Sequence, residues 1–157
     1  MKDVAKEMNL LPFEFFEVGQ KAAFGRYEVT AEEIIEFASK YDAQFFHLDH
    51  EAAKKSLFGG LCASGWHTCA MTMAMLVENM KQRGGSLGSP GIDDLRWLKP
   101  VYPGDVLTVE TEVVETKRSK SRPEIGVVSY NLTVLNQKRE PVMTFLSKGI
   151  YPTTTGA

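Results

Sequence analysis

Apolar positions recur with a helical period in the first half of this chain and with a period of two in the second. Ile34, Ala38 and Tyr41 follow at spacings of four and three, and Ile35 and Phe37 widen that face, so the pattern predicts an amphipathic helix. Thr30 and Glu33 before it fit a capping box, each side chain satisfying an orphan N–H at the helix start. The helix should end near Tyr41 and deliver Asp42 to a loop. A second, short helix is expected from about Asp49 through Ala52-Ala53-Lys54-Lys55, closed by Gly59-Gly60. From about Gly65 to Arg83, Trp66, Cys69, Ala70, Met73, Leu76, Val77 and Met80 recur at i, i+3, i+4 and i+7, while Met71 and Met75 fall on other faces. A helix apolar nearly all round has to be wrapped by the rest of the protein. Lys81 and Arg83 suit the negative end of its dipole, and Gly84-Gly85 stops it.

The period then changes. One strand precedes the helices, Phe24 to Val29, and the rest of the β structure follows them. Leu95 and Trp97 alternate with Arg96 and Leu98 before the turn Pro100-Val101-Tyr102-Pro103-Gly104-Asp105. Leu107, Val109, Thr111 and Val113 alternate with Val106, Thr108, Glu110 and Glu112, as in a half-buried antiparallel strand. Lys117 to Pro123 reads as a basic loop, Ile125 to Leu135 as a strand, Asn136 to Glu140 as a turn and Pro141 to Tyr151 as the last strand. About five antiparallel strands have to cover one hydrophobic helix. That is an α+β layer pair.

Composition narrows the class. The 157 residues make about one domain, taken as 1–157, with a core of its own. With 18 basic and 20 acidic side chains the net charge is -2, which leaves no footprint for nucleic acid or an anionic membrane. Lys2, Asp3, Lys6 and Glu7 precede any apolar run, so no signal peptide is expected. No segment approaches the roughly 20 apolar residues of a membrane span. Cys62 and Cys69 are too few for a disulfide framework and read as small apolar residues in a reducing compartment. A cytoplasmic protein is the expectation.

The candidate chemistry lies between Asp42 and Gly65. Asp42 and His47 stand five apart, and these are the side chains that most readily share acid–base work near neutral pH. Gly65 opens the long helix, where backbone N–H groups face outward to a developing negative charge. Ser64 before it suits an N-cap better than a nucleophile, because its surroundings lack the Gly-x-Ser-x-Gly elbow. His47, Asp49, His50 and His67 invite a metal site, but no helical pattern joins His47 to His50 and no remote third ligand is marked, so none is expected. Lys117, Arg118, Lys120 and Arg122 read as a solvated hairpin loop more readily than as a clamp for phosphates.

Three segments in this order, Asp42-Ala43-Gln44-Phe45-Phe46-His47-Leu48-Asp49, Phe58-Gly59-Gly60-Leu61-Cys62-Ala63-Ser64-Gly65-Trp66, and Leu95-Arg96-Trp97-Leu98-Lys99-Pro100-Val101 with Gly104-Asp105, resemble the MaoC-like dehydratases, a family that includes the (R)-specific enoyl-CoA hydratases. The similarity runs from about Phe16 to Tyr151. It implies the hot-dog fold, an antiparallel sheet wrapped round one long helix, and a lyase that adds water to an enoyl thioester or removes it from a 3-hydroxyacyl thioester. Asp42 and His47 match the family's catalytic pair, which activates one water, and Gly65 matches the position whose N–H holds the thioester oxygen, with Ser64 beside it in the substrate-binding segment. No cofactor is implied beyond the CoA thioester itself, and the family buries its sheet edges by forming dimers. Where the (R)-hydratase signature has Asn-Pro after the Asp, this chain has Gln44-Phe45, and Ser64 stands where His is frequent. Two other classes stay open: a hot-dog thioesterase, which would need an acid on the central helix where only the distant Glu78 stands, and a catalytically silent thioester-binding protein.

Overall fold

The structure, a computed structural model, describes residues 2–154; the expected domain bounds 1–157 extend past these at both ends. Among the described residues the order is helix α1 (Lys2–Glu7), a 3₁₀ turn (Phe13–Phe15), strand β1 (Lys21–Glu28), helices α2 (Ala31–Tyr41), α3 (Phe45–Leu48), α4 (His50–Ala53) and α5 (Gly65–Arg83), then strands β2 (Ile92–Trp97), β3 (Val106–Arg118), β4 (Ile125–Leu135) and β5 (Pro141–Pro152). The strands form one antiparallel sheet in the order β1-β3-β4-β5-β2. The two hairpins β3–β4 and β4–β5 make its centre, and β1 and β2 are its edges. With α5 laid on one face, this is the α+β hot-dog arrangement that the sequence implied.

One core joins helix to sheet. Met71, Met75 and Leu76 of α5 meet Leu107, Val109, Leu132, Val134 and Met143. Ile34 of α2 enters the same cluster with 0 % exposure, a burial worth about 1.5–3 kcal/mol. Gly25 lets α5 come this close. It adopts φ +87° where the register of β1 against β3 shifts between Phe24 and Tyr27. A Cβ there would lie 2.7 Å from Met75 Sδ, so the bulge requires glycine for its backbone and for the helix contact alike.

The buried face of α5 differs from the one its spacing marked. His67, Thr68, Met71, Thr72, Met75 and Leu76 are buried, whereas Trp66, Met73 and Val77 are exposed. The pattern counted apolar atoms, and the buried threonines do not announce themselves that way. Thr72 donates to Thr68 O at 2.8 Å and so satisfies its hydroxyl on its own helix.

The expected second helix is the single turn α4, capped by Asp49, whose carboxyl accepts from Ala52 N at 2.7 Å, and a further single turn, α3, precedes it where no helix was predicted. His47 and His50 are thus both helical, on different turns. Strand β1 starts earlier than Phe24, and β3 carries Lys117 and Arg118 within it, leaving 119–124 as the basic loop. Cys62 lies ahead of α5 rather than on one helix with Cys69, and both thiols are free. Leu11, Phe13 and Phe16, in a segment without a predicted element, pack with Val113, Val128 and Tyr151 in a second cluster. No helix among the described residues is long and apolar enough to cross a membrane.

Candidate active site

Thr30 caps α2 as predicted, accepting from Glu33 N at 3.2 Å, but the Glu33 carboxylate, expected to complete a capping box, faces Tyr27 and His67 instead. The helix stops at Tyr41, and Asp42 follows as its C-cap, donating its N–H to Ala38 O at 2.8 Å. This termination places the Asp42 carboxyl at the start of α5. There Oδ1 accepts from Gln44 Nε2 at 2.6 Å and Oδ2 from Ser64 Oγ at 2.7 Å. Burial alone would raise the carboxyl's pKa. The bonds from Gln44 and Ser64, with the charge of a protonated His47, outweigh burial and hold it below its ordinary 3.8. Asp42 is a carboxylate at neutral pH.

Its depressed pKa carries a stability prediction. Unfolding releases those bonds, so around the ordinary carboxylate pKa the unfolded chain binds more protons than the folded one. The contribution of Asp42 is therefore complete above 3.8 and is lost as the pH falls through the lower folded value. Urea unfolding of wild type and Asp42→Asn between about pH 2 and 5 checks this. The wild type should lose more stability on acidification than the variant; parallel curves would contradict the assignment.

His47 is 5 % exposed on the single turn α3. Its Nδ1 lies 2.6 Å from the carbonyl oxygen of Cys62. A carbonyl only accepts, so Nδ1 carries a proton and neutral His47 keeps its lone pair on Nε2. Nε2 lies 3.4 Å from Asp42 Oδ2. Two acceptors at this separation converge on a shared proton donor. The Phe46 ring stands edge-on to the imidazole, with centroids 4.5 Å apart, and walls its other side.

Gly65 and Ser64 complete the cluster. Ser64 is the N-cap of α5, its Oγ accepting from Trp66 N at 3.3 Å while donating to Asp42. Gly65 is the first helical residue, and a Cβ there would lie 2.3 Å from Trp97 Cε2. Close approach of Trp97 therefore excludes a side chain at this position. Trp66 meets Trp97 edge-to-face at 5.4 Å. A cleft of about 460 Å³ holds Asp42, His47 and Gly65 among its lining, with apolar walls from Phe58, Trp97 and Val101.

The structure thus brings Asp42, His47, Ser64 and Gly65 together. It leaves His50 exposed on α4 and sets His67 against Glu33 instead, 3.0 Å away. Among the described residues no three His, Cys, Asp or Glu side chains gather as a metal-binding group. Sequence reasoning left three partners unassigned. Gln44 sits two residues after Asp42, a spacing at which a side-chain amide reaches back readily, and that was the available signal. The Cys62 carbonyl and the packing of Trp97 on Gly65 leave no mark in residue types.

A family model described as "MaoC like domain" matches residues 15–136. The chain belongs to the MaoC-like domain family. Its similarity to the crystal structure of a MaoC-like dehydratase from Rhodospirillum rubrum is 40% in sequence with a TM-score of 0.83, over 93% of this chain and 99% of that one. It is 31% identical over 127 residues to YdeM of Bacillus subtilis, an uncharacterised protein, covering 81% of this chain and 89% of that one. It is also 34% identical over 91 residues to the mesaconyl-CoA hydratase of Haloarcula marismortui. That match takes in 48% of this chain and only 25% of the hydratase.

Proposed function

We propose that this MaoC-like chain is a hydro-lyase that interconverts a trans-2-enoyl thioester, carried as its CoA ester, and the 3-hydroxyacyl form. The observation that carries the reading is the 3.4 Å approach of His47 Nε2 and Asp42 Oδ2, two acceptors beside the N-terminus of α5. A water bound there donates one O–H to each. As its oxygen adds to C3, His47 Nε2 takes the proton, and the Asp42 carboxylate stabilises the imidazolium. The electron pair of the double bond moves onto the thioester oxygen, where the Gly65 N–H and the positive end of the α5 dipole hold the enolate. Return of the proton from Nε2 to C2 completes the addition. A relative named as a mesaconyl-CoA hydratase and a neighbour named as a MaoC-like dehydratase support the thioester class and the direction-neutral reaction.

Crotonyl-CoA, a short trans-2-enoyl thioester, tests the reading. Loss of enoyl absorbance without release of free thiol is the expected result. Thiol release would move the protein to the thioesterase class. That class is disfavoured by Glu78, which sits thirteen residues, or about 20 Å, along α5 from Gly65 and pairs with Lys81 at 3.5 Å. Neither signal, over a range of acyl lengths, would leave a silent thioester-binding protein.

The reading includes a homodimer. Strand β2 is an open sheet edge carrying exposed Ile92 and Trp97, and exposed Trp66, Met73 and Val77 continue an apolar band along α5. A second copy covers both the edge and the band. Sedimentation at micromolar concentration should show a dimer or a dimer-based species, and a monomer alone would overturn this part.

A further inference from the structure

A polar cluster that the proposed steps leave unused joins three elements at one carboxylate oxygen. Oε1 of Glu33, in the first turn of α2, accepts from the hydroxyl of Tyr27 on β1 and lies 3.0 Å from Nε2 of His67 on α5. His67 is 2 % exposed, and its ring stacks face-on against Phe37 of α2, with centroids 4.7 Å and planes 8° apart. Burial pulls the Glu33 carboxyl up, but the bonds from Tyr27 and His67 outweigh it and leave it below its ordinary 4.5. Burial, then Glu33 itself, pushes the Tyr27 hydroxyl up to about 12. Glu33 is therefore an acceptor only, and His67 Nε2 carries the proton between them.

This arrangement has a cost that packing does not explain. His67 Nδ1 is buried without a hydrogen-bond partner among the described residues, a loss of about 1–3 kcal/mol for such a group. A leucine would fill the space without it. What the polar group supplies is direction: a hydrogen bond and a stacked ring fix distance and rotation, which apolar contact alone leaves looser. Beside the contact, α2 and α5 are separated by an open cleft of about 450 Å³ that Glu36, Lys40 and Ala70 help to line.

We propose that His67, Glu33 and Tyr27 are positioning residues for the hydration, fixing α2 against the first turn of α5 so that the carboxyl at the end of α2 meets Ser64 and His47. Glu33 and Phe37 touch His67 at two successive turns of α2, and Asp42 follows at the end of the same helix. His67 stands two residues beyond Gly65. Contact at two turns sets the tilt and rotation of α2, and displacements of about 1 Å at a reacting group are enough to cost about 10²-fold in rate. This inference rests on the hydratase reading for its effect on turnover, but not for its effect on Asp42.

His67→Leu, which keeps bulk and removes both nitrogens, and His67→Gln, which keeps a donor towards Glu33, test it with crotonyl-CoA. His67→Leu should lower kcat about tenfold or more with KM changed less than about threefold, and His67→Gln should recover most of the loss. The activity-free readout is the Asp42 carboxyl itself, titrated by carbon NMR. In His67→Leu its pKa should rise towards the ordinary 3.8 as the bonds from Gln44 and Ser64 loosen. An unchanged kcat overturns the proposal whether or not Asp42 moves, and so does a lowered kcat with the Asp42 titration unmoved. If the wild type hydrates no enoyl thioester, the hydratase reading fails, and the Asp42 titration alone then decides whether the clamp exists. Should His67→Leu fail to fold, Tyr27→Phe removes one donor from Glu33 and is expected to shift both readouts the same way by less.

Discussion

Asp42→Asn should cut hydration of a good enoyl thioester about 10²–10⁴-fold without unfolding the protein, and His47→Ala should do the same. The amide in Asp42→Asn still accepts from Gln44 or Ser64, so the end of α2 keeps its place. What it lacks is the negative charge that opposes Nε2 at 3.4 Å and stabilises the imidazolium. His47→Ala removes the acceptor for the water proton and leaves the Cys62 carbonyl without its 2.6 Å partner. Some stability goes with that bond, about 1–3 kcal/mol for a buried acceptor left unpaired. Stopped assays on crotonyl-CoA, with circular dichroism to verify folding, check both variants. Near-wild-type turnover in either would remove the paired acid–base chemistry from the proposal.

Gly65→Val should be nearly inactive, and the structure adds a reason beyond crowding of the acyl group. A Cβ at this position would lie 2.3 Å from the Trp97 ring, so β2, the start of α5 or the indole has to move. Overpacking of this kind costs typically about 1–3 kcal/mol and displaces the N–H proposed to hold the enolate. The double variant Gly65→Val, Trp97→Ala separates the causes. Recovery of turnover in the double variant would assign the loss to Trp97, and no recovery would assign it to the acyl group itself. Ser64→Ala is the companion. As a helix cap alone, Ser64 would cost about 1 kcal/mol of stability and little activity. Its Oγ also donates to Asp42 Oδ2 at 2.7 Å, and hydrogen bonds to charged groups are worth about 1.5–3 kcal/mol. Turnover should therefore fall about tenfold in Ser64→Ala but less than in Gly65→Val. A fully inactive Ser64→Ala beside an active Gly65→Val would point to a serine nucleophile instead.

Much of the architecture was legible because local signals agreed with the tertiary outcome. The N-cap at Thr30, the run from Gly65 to Arg83 and the strand from Ile125 to Leu135 each carry their own start, period or stop. The face of α5 was not legible in the same way. Trp66, Met73 and Val77 are apolar yet exposed, and Thr68 and Thr72 are polar yet buried. Hydrophobicity records what a side chain prefers, whereas the sheet, α2 and the bulge at Gly25 decide which side is covered. In the candidate site the sequence marked the side chains of Asp42, His47, Ser64 and Gly65, because their chemistry and spacing are particular. It was silent on the bond from Ser64 to Asp42, since Ser64 had a sufficient local explanation as a helix cap. Nor did it foresee that Gly65 makes room for an indole from β2, a contact between segments 32 residues apart.

The carbonyl of Cys62 has one more consequence, for how tolerant this site is to mutation. The group that sets which imidazole nitrogen bears the proton belongs to the main chain, and every amino acid supplies it. A saturation library at position 62 should thus accept small residues such as alanine or serine with little loss, limited by the tight space around a side chain only 2 % exposed. Variation among functional sequences at this position would say nothing against its importance. Half of what orients His47 lies in the path of the backbone, where substitution cannot delete it and only a change in the course of the chain before α5 can.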